Sequence, residues 1–253
     1  MTEVVQTALA QFELYQIVLA AAVTFLATIF HAASGVGGGV VIAIMLAPII
    51  GVKAVVPVLS IAMLIDHVAR LWVFRQHIDF PAFWAVILTA LPGIVIGALV
   101  YNELPTRAVW GLLGTFLIVS VPLRRYLERR HFRTGLKGLA VVGAPFGLIA
   151  GAVVSPGILL LPFMLGAGLA GMAFIATNTI IAVAVNLTKV VVFGGVAFFD
   201  VNLAVIGILI GLCAAPANYL GKWIVERMPI RVHAMVLEGI VLVGGCLFLW
   251  NAI

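Results

Sequence analysis

The sequence HVARLWVF at residues 67–74 aligns without a gap with NLTKVVVF at residues 186–193, which indicates how the chain is organised. The register places polar and small residues of the two halves opposite one another: His67 with Asn186, Arg70 with Lys189, Ser60 with Thr179, and Gly38 with Gly157. Leucine and valine matches carry little information in apolar sequences, whereas polar matches at one spacing are less common. We therefore predict that the chain contains an internal repeat.

The composition is that of a membrane protein. Hydrophobic residues make up 64% of the 253 residues and charged residues only 9%, and the mean hydropathy is +1.28. Soluble domains carry about 25% charged residues. The net charge of +5 comes from basic residues concentrated in loops, which favours an explanation by membrane topology over a nucleic-acid partner. We predict an integral membrane protein, surrounded by the lipid bilayer, that binds no nucleic acid.

Apolar segments fall into two similar series, divided by the most basic loop. The first series comprises 12–33, 40–50, 54–74, 83–101 and 107–123. The second comprises 137–152, 157–168, 171–193, 202–221 and 232–251. The second segment of each series is too short to cross a bilayer, which takes about 20 residues. We predict three parts: a first repeat at 1–123, a basic loop at 124–136 and a second repeat at 137–253.

The basic loop sets the orientation, because cytoplasmic loops carry an excess of lysine and arginine. The sequence VPLRRYLERRHFRTGLK at 121–137 is therefore expected to face the cytoplasm, and both termini the outside. With an odd number of crossings per half, the second copy is inverted. The predicted fold class is an all-α polytopic membrane protein with two inverted-topology repeats of about five helical segments each, whose short interrupted half-helices lie near the midplane.

Stretches of small residues interrupt the helices at equivalent places, HAASGVGGG at 31–39 and AGAVVSPG at 150–157. A helix N-terminus offers unpaired N–H groups and a partial positive charge, and glycine lets a ligand approach the backbone closely. We predict that the two breaks bind an anion through small residues: Ser34, Gly37, Gly38, Gly39, Ser155 and Gly157. The alternative is that the glycines only allow close helix packing.

Polar side chains within the spans are further candidates, because they are costly in lipid and usually functional. We assign five of them to substrate binding: Arg70, Thr177, Asn178, Asn186 and Lys189. For the two cations the alternative is snorkelling, in which the long side chain reaches the membrane interface. For the threonines the alternative is a hydrogen bond from the hydroxyl to the helix backbone.

Three titratable residues are candidates for proton coupling: His31, Asp66 and His67. Histidine titrates near neutral pH and can carry a proton. His31 is equally compatible with a core position, and Asp66 can pair with Arg70 four residues later on one helix face.

Cys213 and Cys246 lie in apolar runs without metal-ligand spacing, and no nucleotide-binding or catalytic motif is present. We predict no metal, no cofactor and no enzymatic activity.

These residues resemble the sulfite exporter TauE/SafE family of membrane permeases. The likeness lies in four stretches: GVGGGVVIAIMLAP (35–48), GLIAGAVVSPGILLLP (147–162), ATN (176–178) and NLTKVVVFGGVAF (186–198). Together with the repeat and the basic loop, the pattern covers nearly the whole chain. The second half departs from the family pattern, because VVSPG contains one glycine where a glycine cluster is usual.

The resemblance implies a secondary transporter in the bacterial inner membrane that moves a small sulfur-containing anion, such as sulfite, sulfoacetate or a related organosulfonate. Alternating access of the two repeats is the expected mechanism, with H⁺ or Na⁺ as possible coupling ions and a homodimer as a possible assembly. An anion channel is the first alternative. An intramembrane lipid-pyrophosphate phosphatase is a more distant one, because such enzymes need glutamates and an arginine beside the serine, and none lies near Ser155.

Overall fold

The computed structural model describes residues 21–22, 24–29, 38–130, 133–196, 201–217, 219–220 and 230–253, with no side-chain information for 38, 128, 230–237 and 240. The labelled helices of this part are α1 Gly38–Ile50, α2 Val52–Phe74, α3 Phe80–Glu103, α4 Thr106–Arg129, α5 Leu136–Ala152, α6 Leu161–Gly166, α7 Gly171–Gly195, α8 Val201–Ala214 and α9 Ile230–Trp250. Short 3₁₀ helices cover Arg75–His77 and Pro156–Leu159. No strand occurs among the described residues.

The helices confirm an all-α, multi-pass membrane protein. Within the described part, α2, α3, α4 and α7 are long and apolar enough to cross a bilayer, and shorter apolar helices accompany them. Their boundaries lie close to those predicted from hydropathy. Of the first predicted span, 12–33, only residues 21–22 and 24–29 are described, and these are helical.

Three predicted boundaries differ from the structure. The segment predicted as 202–221 contains α8, which ends at Ala214 and is followed by a turn. The second short segment, predicted as 157–168, is divided into the 3₁₀ turn and α6, with Pro162 in the first turn of α6. The basic loop, predicted to begin at 124, begins later because α4 continues to Arg129. The sequence 124–129 contains no glycine or proline to end the helix, and its arginines and leucine are good helix formers.

Hydrogen bonds show in which direction several helices run. We call the end of the molecule that carries Arg124, Arg125 and Arg129, in the last turns of α4, the basic end. The amide of Thr134, in the connection after α4, donates to the Gly166 carbonyl at 3.1 Å, so α6 ends and α7 begins near this end. The Asp79 amide donates to Thr177 Oγ1 at 2.9 Å, which places the start of α3 beside the start of α7. Consequently α2 and α4 run towards the basic end, and α3, α5 and α7 run away from it.

Two further contacts orient the last helices. In α8, an added Cβ on Gly207 would lie 2.8 Å from the Val58 carbonyl oxygen, and one on Gly211 2.9 Å from that of Ala62, so α8 runs parallel to α2. Helix α9 begins at the basic end, where Glu238 pairs with α4. Under the predicted repeat, α2 corresponds to α7, α3 to α8 and α4 to α9. The two members of each pair run in opposite directions.

Helices α3 and α5 pack in parallel at very short range, through glycines four residues apart. A Cβ on Gly147 would lie 2.7 Å from Ala90 Cα, and a Cβ on Gly151 would lie 2.7 Å from the Ala98 nitrogen. Such separations are well below contact distance, so only glycine fits. Close packing by small residues, which drives helix association in lipid, therefore operates between these two helices.

Glu238 joins the basic ends of α4 and α9. Its carboxylate, of which 7% is exposed, pairs with Arg124 on one oxygen and with Arg125 on the other. The Arg124 side chain is 12% exposed and that of Arg125 is 55% exposed. From the sequence, Glu238 has no polar equivalent in the first half and is assigned no role; its partners lie 114 and 113 residues away in the chain.

Replacing Glu238 with glutamine should destabilise the protein by about 2–3 kcal/mol, because Arg124 then keeps a nearly buried charge without its carboxylate. Replacing Arg125 with glutamine should cost less than about 1 kcal/mol, because that side chain is half exposed to solvent. Thermal unfolding in detergent measures both. Equal losses of stability in the two variants would show that burial does not determine how much each arginine–glutamate pair contributes to the free energy of unfolding.

Candidate functional site

A cavity of about 40 Å³ lies between α2, α7 and the chain segment that follows α5. Apolar side chains form much of its wall. Its polar groups and its glycine come from three places: Ser60 and His67 on α2, Ser155 and Gly157 in the break, and Asn178, Asn186 and Lys189 on α7. The structure therefore brings together five of the predicted substrate residues and one predicted proton-coupling residue, although they come from distant parts of the sequence.

The second break has an unusual backbone that presents its residues to the cavity. Helix α5 ends at Ala152, and Val153 is extended. Ser155 adopts the left-handed conformation at φ 54°, ψ 47°, the one non-glycine residue of the described part with positive φ. A left-handed residue other than glycine costs roughly 1–2 kcal/mol, and such strain concentrates at functional sites. Pro156 then opens the 3₁₀ turn.

Gly157 lies directly against Asn178 of α7. A Cβ added to Gly157 would approach the Asn178 Oδ1 to 2.9 Å and its Nδ2 to 3.1 Å. The absence of a side chain at Gly157 therefore lets the Asn178 amide sit at the cavity wall. Both residues are predicted site residues, but only the structure shows that they are in contact.

The start of α1 meets the second break. A Cβ on Gly39 would lie 2.7 Å from Ser155 Oγ and 3.1 Å from Val154 Cγ1, so Gly39 packs directly behind the strained serine. Gly39 does not line the cavity. Gly38 is the first residue of α1 rather than part of a non-helical break. The remaining candidates of the first break, His31, Ser34 and Gly37, lie outside the described residues.

Lys189 is the only cation that lines the cavity in the described part of the chain. Its side chain is 2% exposed, and its Nζ donates a hydrogen bond to the Val153 carbonyl oxygen at 2.8 Å. Lys189 therefore points inward and does not snorkel. Val153 caps the C-terminal end of α5, where the partial negative charge of the helix favours a cation. An ammonium has three N–H donors, so this contact leaves two for a ligand.

Helix α2 supplies the opposite wall. Ser60 Oγ donates to the Val56 carbonyl at 2.6 Å, within its own helix. His67 Nδ1 lies 2.6 Å from the Met63 carbonyl oxygen; since a carbonyl only accepts, Nδ1 carries the hydrogen. Ser60 was not among the predicted site residues; in the sequence it is noted only for its alignment with Thr179.

The other predicted residues are buried but do not line the cavity. Thr177 accepts the Asp79 hydrogen bond described above and thereby joins two helices at the basic end. Asp66 is 0% exposed and Arg70 1% exposed, so Arg70 does not snorkel. Asp66 acts electrostatically on Arg70, four residues later on the same helix, as the alternative considered from their spacing expects. Within the described part of the chain, no cluster of histidine, cysteine and acidic residues has the arrangement of a metal site.

Comparison with known proteins agrees with the resemblance found in the sequence. The family model described as "Sulfite exporter TauE/SafE" matches residues 20–248, which include the cavity and every helix described except the last residues of α9. No curated protein and no solved structure gives a significant match. Because the match spans nearly the whole chain, this membrane protein belongs to the sulfite exporter TauE/SafE family.

Proposed function

We propose that the protein is a secondary transporter that moves a small sulfur-containing anion across the bacterial inner membrane. Membership of the family indicates transport of sulfur-containing anions. The single observation that carries the proposal for this cavity is the buried Lys189 ammonium, which lines it and donates to a neutral carbonyl rather than to a carboxylate. A buried cation without a carboxylate is costly, and an anion bound in the cavity would supply the missing charge.

The remaining lining supports an anion rather than a cation. No acidic side chain of the described residues faces the cavity. Ser155, Asn178 and Asn186 carry hydroxyl or amide groups that can donate hydrogen bonds to an oxyanion. The Ser60 hydroxyl gives its hydrogen to the Val56 carbonyl and contributes a polar surface only. Cation pathways in membranes typically use rings of carboxylates or carbonyl oxygens instead. Among the described residues, the lining also contains no acidic residue and no arginine, both of which a lipid-pyrophosphate phosphatase would require.

Sulfite is the first substrate to test, ahead of the organosulfonates, because the description of the matching family model names it.

Alternating access is the mechanism that the packing supports best. Each pair of helices matched by the predicted repeat runs in opposite directions, as rocking of two inverted repeats requires. The Asp79–Thr177 hydrogen bond joins helices on the basic side. On the far side, the rings of Tyr101 in α3 and Phe193 in α7 pack edge to face across the two predicted repeats, with their centroids 5.8 Å apart. Breaking one set of contacts while keeping the other would open the cavity to one side at a time.

Flux measurements in proteoliposomes test the proposal and separate it from a channel. Purified protein should take up [³⁵S]sulfite with saturation, and sulfite preloaded inside the vesicles should accelerate uptake by exchange. Flux that rises in proportion to concentration, without exchange, would establish a channel instead. Imposed pH and Na⁺ gradients then identify the coupling ion; proton coupling would point to His67, the predicted proton carrier in the cavity wall.

Gly157→Ala should weaken sulfite binding about tenfold, the effect of losing one hydrogen bond to a charged ligand. The added methyl group displaces the Asn178 amide from the cavity wall, while the surrounding helices can stay in place. Gly195→Ala is the matched control, because a Cβ there meets nothing within 4 Å. Isothermal titration with sulfite measures both variants. Wild-type affinity in Gly157→Ala would exclude a role for the Asn178 position.

A further inference from the structure

Arg70 occupies the next position on the face of α2 that lines the cavity. The lining residues of α2 recur at helical spacing: Val56, Leu59, Ser60, Met63 and His67. Residues three or four apart share one face of a helix. Arg70 follows His67 by three residues, on the side of the basic end, and it does not line the cavity itself. An anion leaving the cavity along this face towards the basic end would meet Arg70 next.

The guanidinium of Arg70 has unused hydrogen-bonding capacity. The side chain is 1% exposed, and its Nε and Nη2 have no hydrogen-bond partner within the described part of the chain. Buried donors are normally paired, since an unpaired one loses its hydration without compensation. The N–H fork of arginine matches two oxygens of an oxyanion. These two adjacent nitrogens, on the continuation of the cavity-lining face of α2, therefore form a donor pair that fits an oxyanion.

Building on the proposed transport function, we infer that Arg70 is a second anion-binding residue, located on the path between the cavity and the basic end. The anion first binds at Lys189 and then passes to the Nε and Nη2 edge of Arg70 once the basic end opens. The ligand class is the same small oxyanion. No bond is made or broken in this step; the anion exchanges one set of hydrogen-bond donors for another.

A different reading is that Arg70 serves only to balance the charge of Asp66. Asp66 lies one turn away on the same helix and acts on Arg70 electrostatically. Under this reading, removing both charges together should be harmless. Under the second-site inference, the loss of Arg70 impairs transport whether or not Asp66 is charged.

The first experiment compares equilibrium binding with flux in purified, reconstituted protein, using [³⁵S]sulfite. Arg70→Gln should leave the cavity affinity within about threefold and lower the maximal flux by about tenfold or more, the order expected for a lost charge-assisted hydrogen bond. Arg70→Lys should recover part of the flux, because it restores the charge without the two-pronged contact. The double variant Asp66→Asn/Arg70→Gln should stay as slow as Arg70→Gln. Recovery of flux in the double variant would overturn the inference.

A second experiment remains informative if Arg70→Gln folds poorly. Single cysteines are introduced at Arg70, Ser60 or Val68 in a Cys213→Ala/Cys246→Ala background and treated with an anionic methanethiosulfonate sulfonate reagent. Val68 is the matched control, because it lies two residues from Arg70 and is 51% exposed on the outside of the helix bundle. Arg70→Cys should react at least about tenfold faster than Val68→Cys, since only a water-filled path admits the charged reagent.

The outcomes distinguish this inference from the proposed function. If Ser60→Cys reacts and Arg70→Cys does not, the cavity lies on the path but Arg70 does not, and the second site is refuted. If neither cysteine reacts and wild-type protein binds no sulfite, the proposed function itself fails. Loss of thermal stability and sulfite binding to the same degree in Arg70→Gln, without rescue by lysine, would make Arg70 a structural residue and likewise refute the inference.

Discussion

Replacing Lys189 with methionine is expected to lower the affinity for sulfite by about 10- to 150-fold, which corresponds to losing a charged hydrogen bond worth about 1.5–3 kcal/mol. Methionine keeps much of the length and apolar contact of the lysine stem and removes only the ammonium. Sulfite should raise the melting temperature of the wild type by binding the folded state, and this shift should vanish in the variant. Titration calorimetry and thermal-shift assays measure the two effects.

The stability of the Lys189→Met protein without anion should be equal to or greater than that of the wild type. The substitution leaves the Val153 carbonyl without its donor, but it also removes a buried charge, whose desolvation is the larger cost. Lys53→Met is the matched control, because Lys53 also donates to a backbone carbonyl but lies away from the cavity. Equal loss of affinity in both variants would mean that net charge, rather than the cavity lysine, attracts the anion.

The second large effect is expected from Gly147→Ala, which should destabilise the protein by about 3 kcal/mol, near the upper end for overpacking a core. The new methyl group would lie 2.7 Å from Ala90 Cα and 2.8 Å from its carbonyl carbon, so two helix backbones must separate. The yield of monodisperse protein and its thermal unfolding in detergent measure the effect.

Gly239→Ala is the control for this prediction. Gly239 also lies in a helix, but a Cβ there meets nothing within 4 Å. Alanine at this position should be neutral or stabilising by up to about 1 kcal/mol, as its helix propensity predicts. A wild-type melting temperature for Gly147→Ala would contradict the close approach of α3 and α5.

Much of the fold could be predicted from sequence, because a membrane imposes a simple length and polarity rule on each segment. Most helix boundaries, the short second segment of the first half and the break before Pro156 followed from hydropathy, glycine and proline. Which helices pack against each other could not be predicted from the sequence. The pairing of Glu238 with two arginines and the glycine contacts of α3 with α5 join residues that are distant in the chain, and spacing along one helix carries no information about them.

The candidate site was predicted in outline for a physical reason. Polar side chains in lipid must face protein or water, so Asn178, Asn186 and Lys189 were expected to face inward, and they line one cavity. Thr177, one residue from Asn178, points about 100° around the helix and instead bonds Asp79. Ser60 was overlooked because a serine that bonds its own helix backbone is common in spans.

The most direct test of the central claim is to locate the bound anion. Crystals of the protein grown with sulfite should be measured at a long wavelength, where the sulfur of the anion scatters anomalously and the methionine and cysteine sulfurs provide internal references. We expect an additional sulfur peak in the cavity between α2, α7 and the break at Ser155, with a sulfite oxygen within hydrogen-bond distance of Lys189 Nζ. The peak should be lost in Lys189→Met. A sulfite peak elsewhere in the protein, with the cavity holding only water, would contradict the central claim.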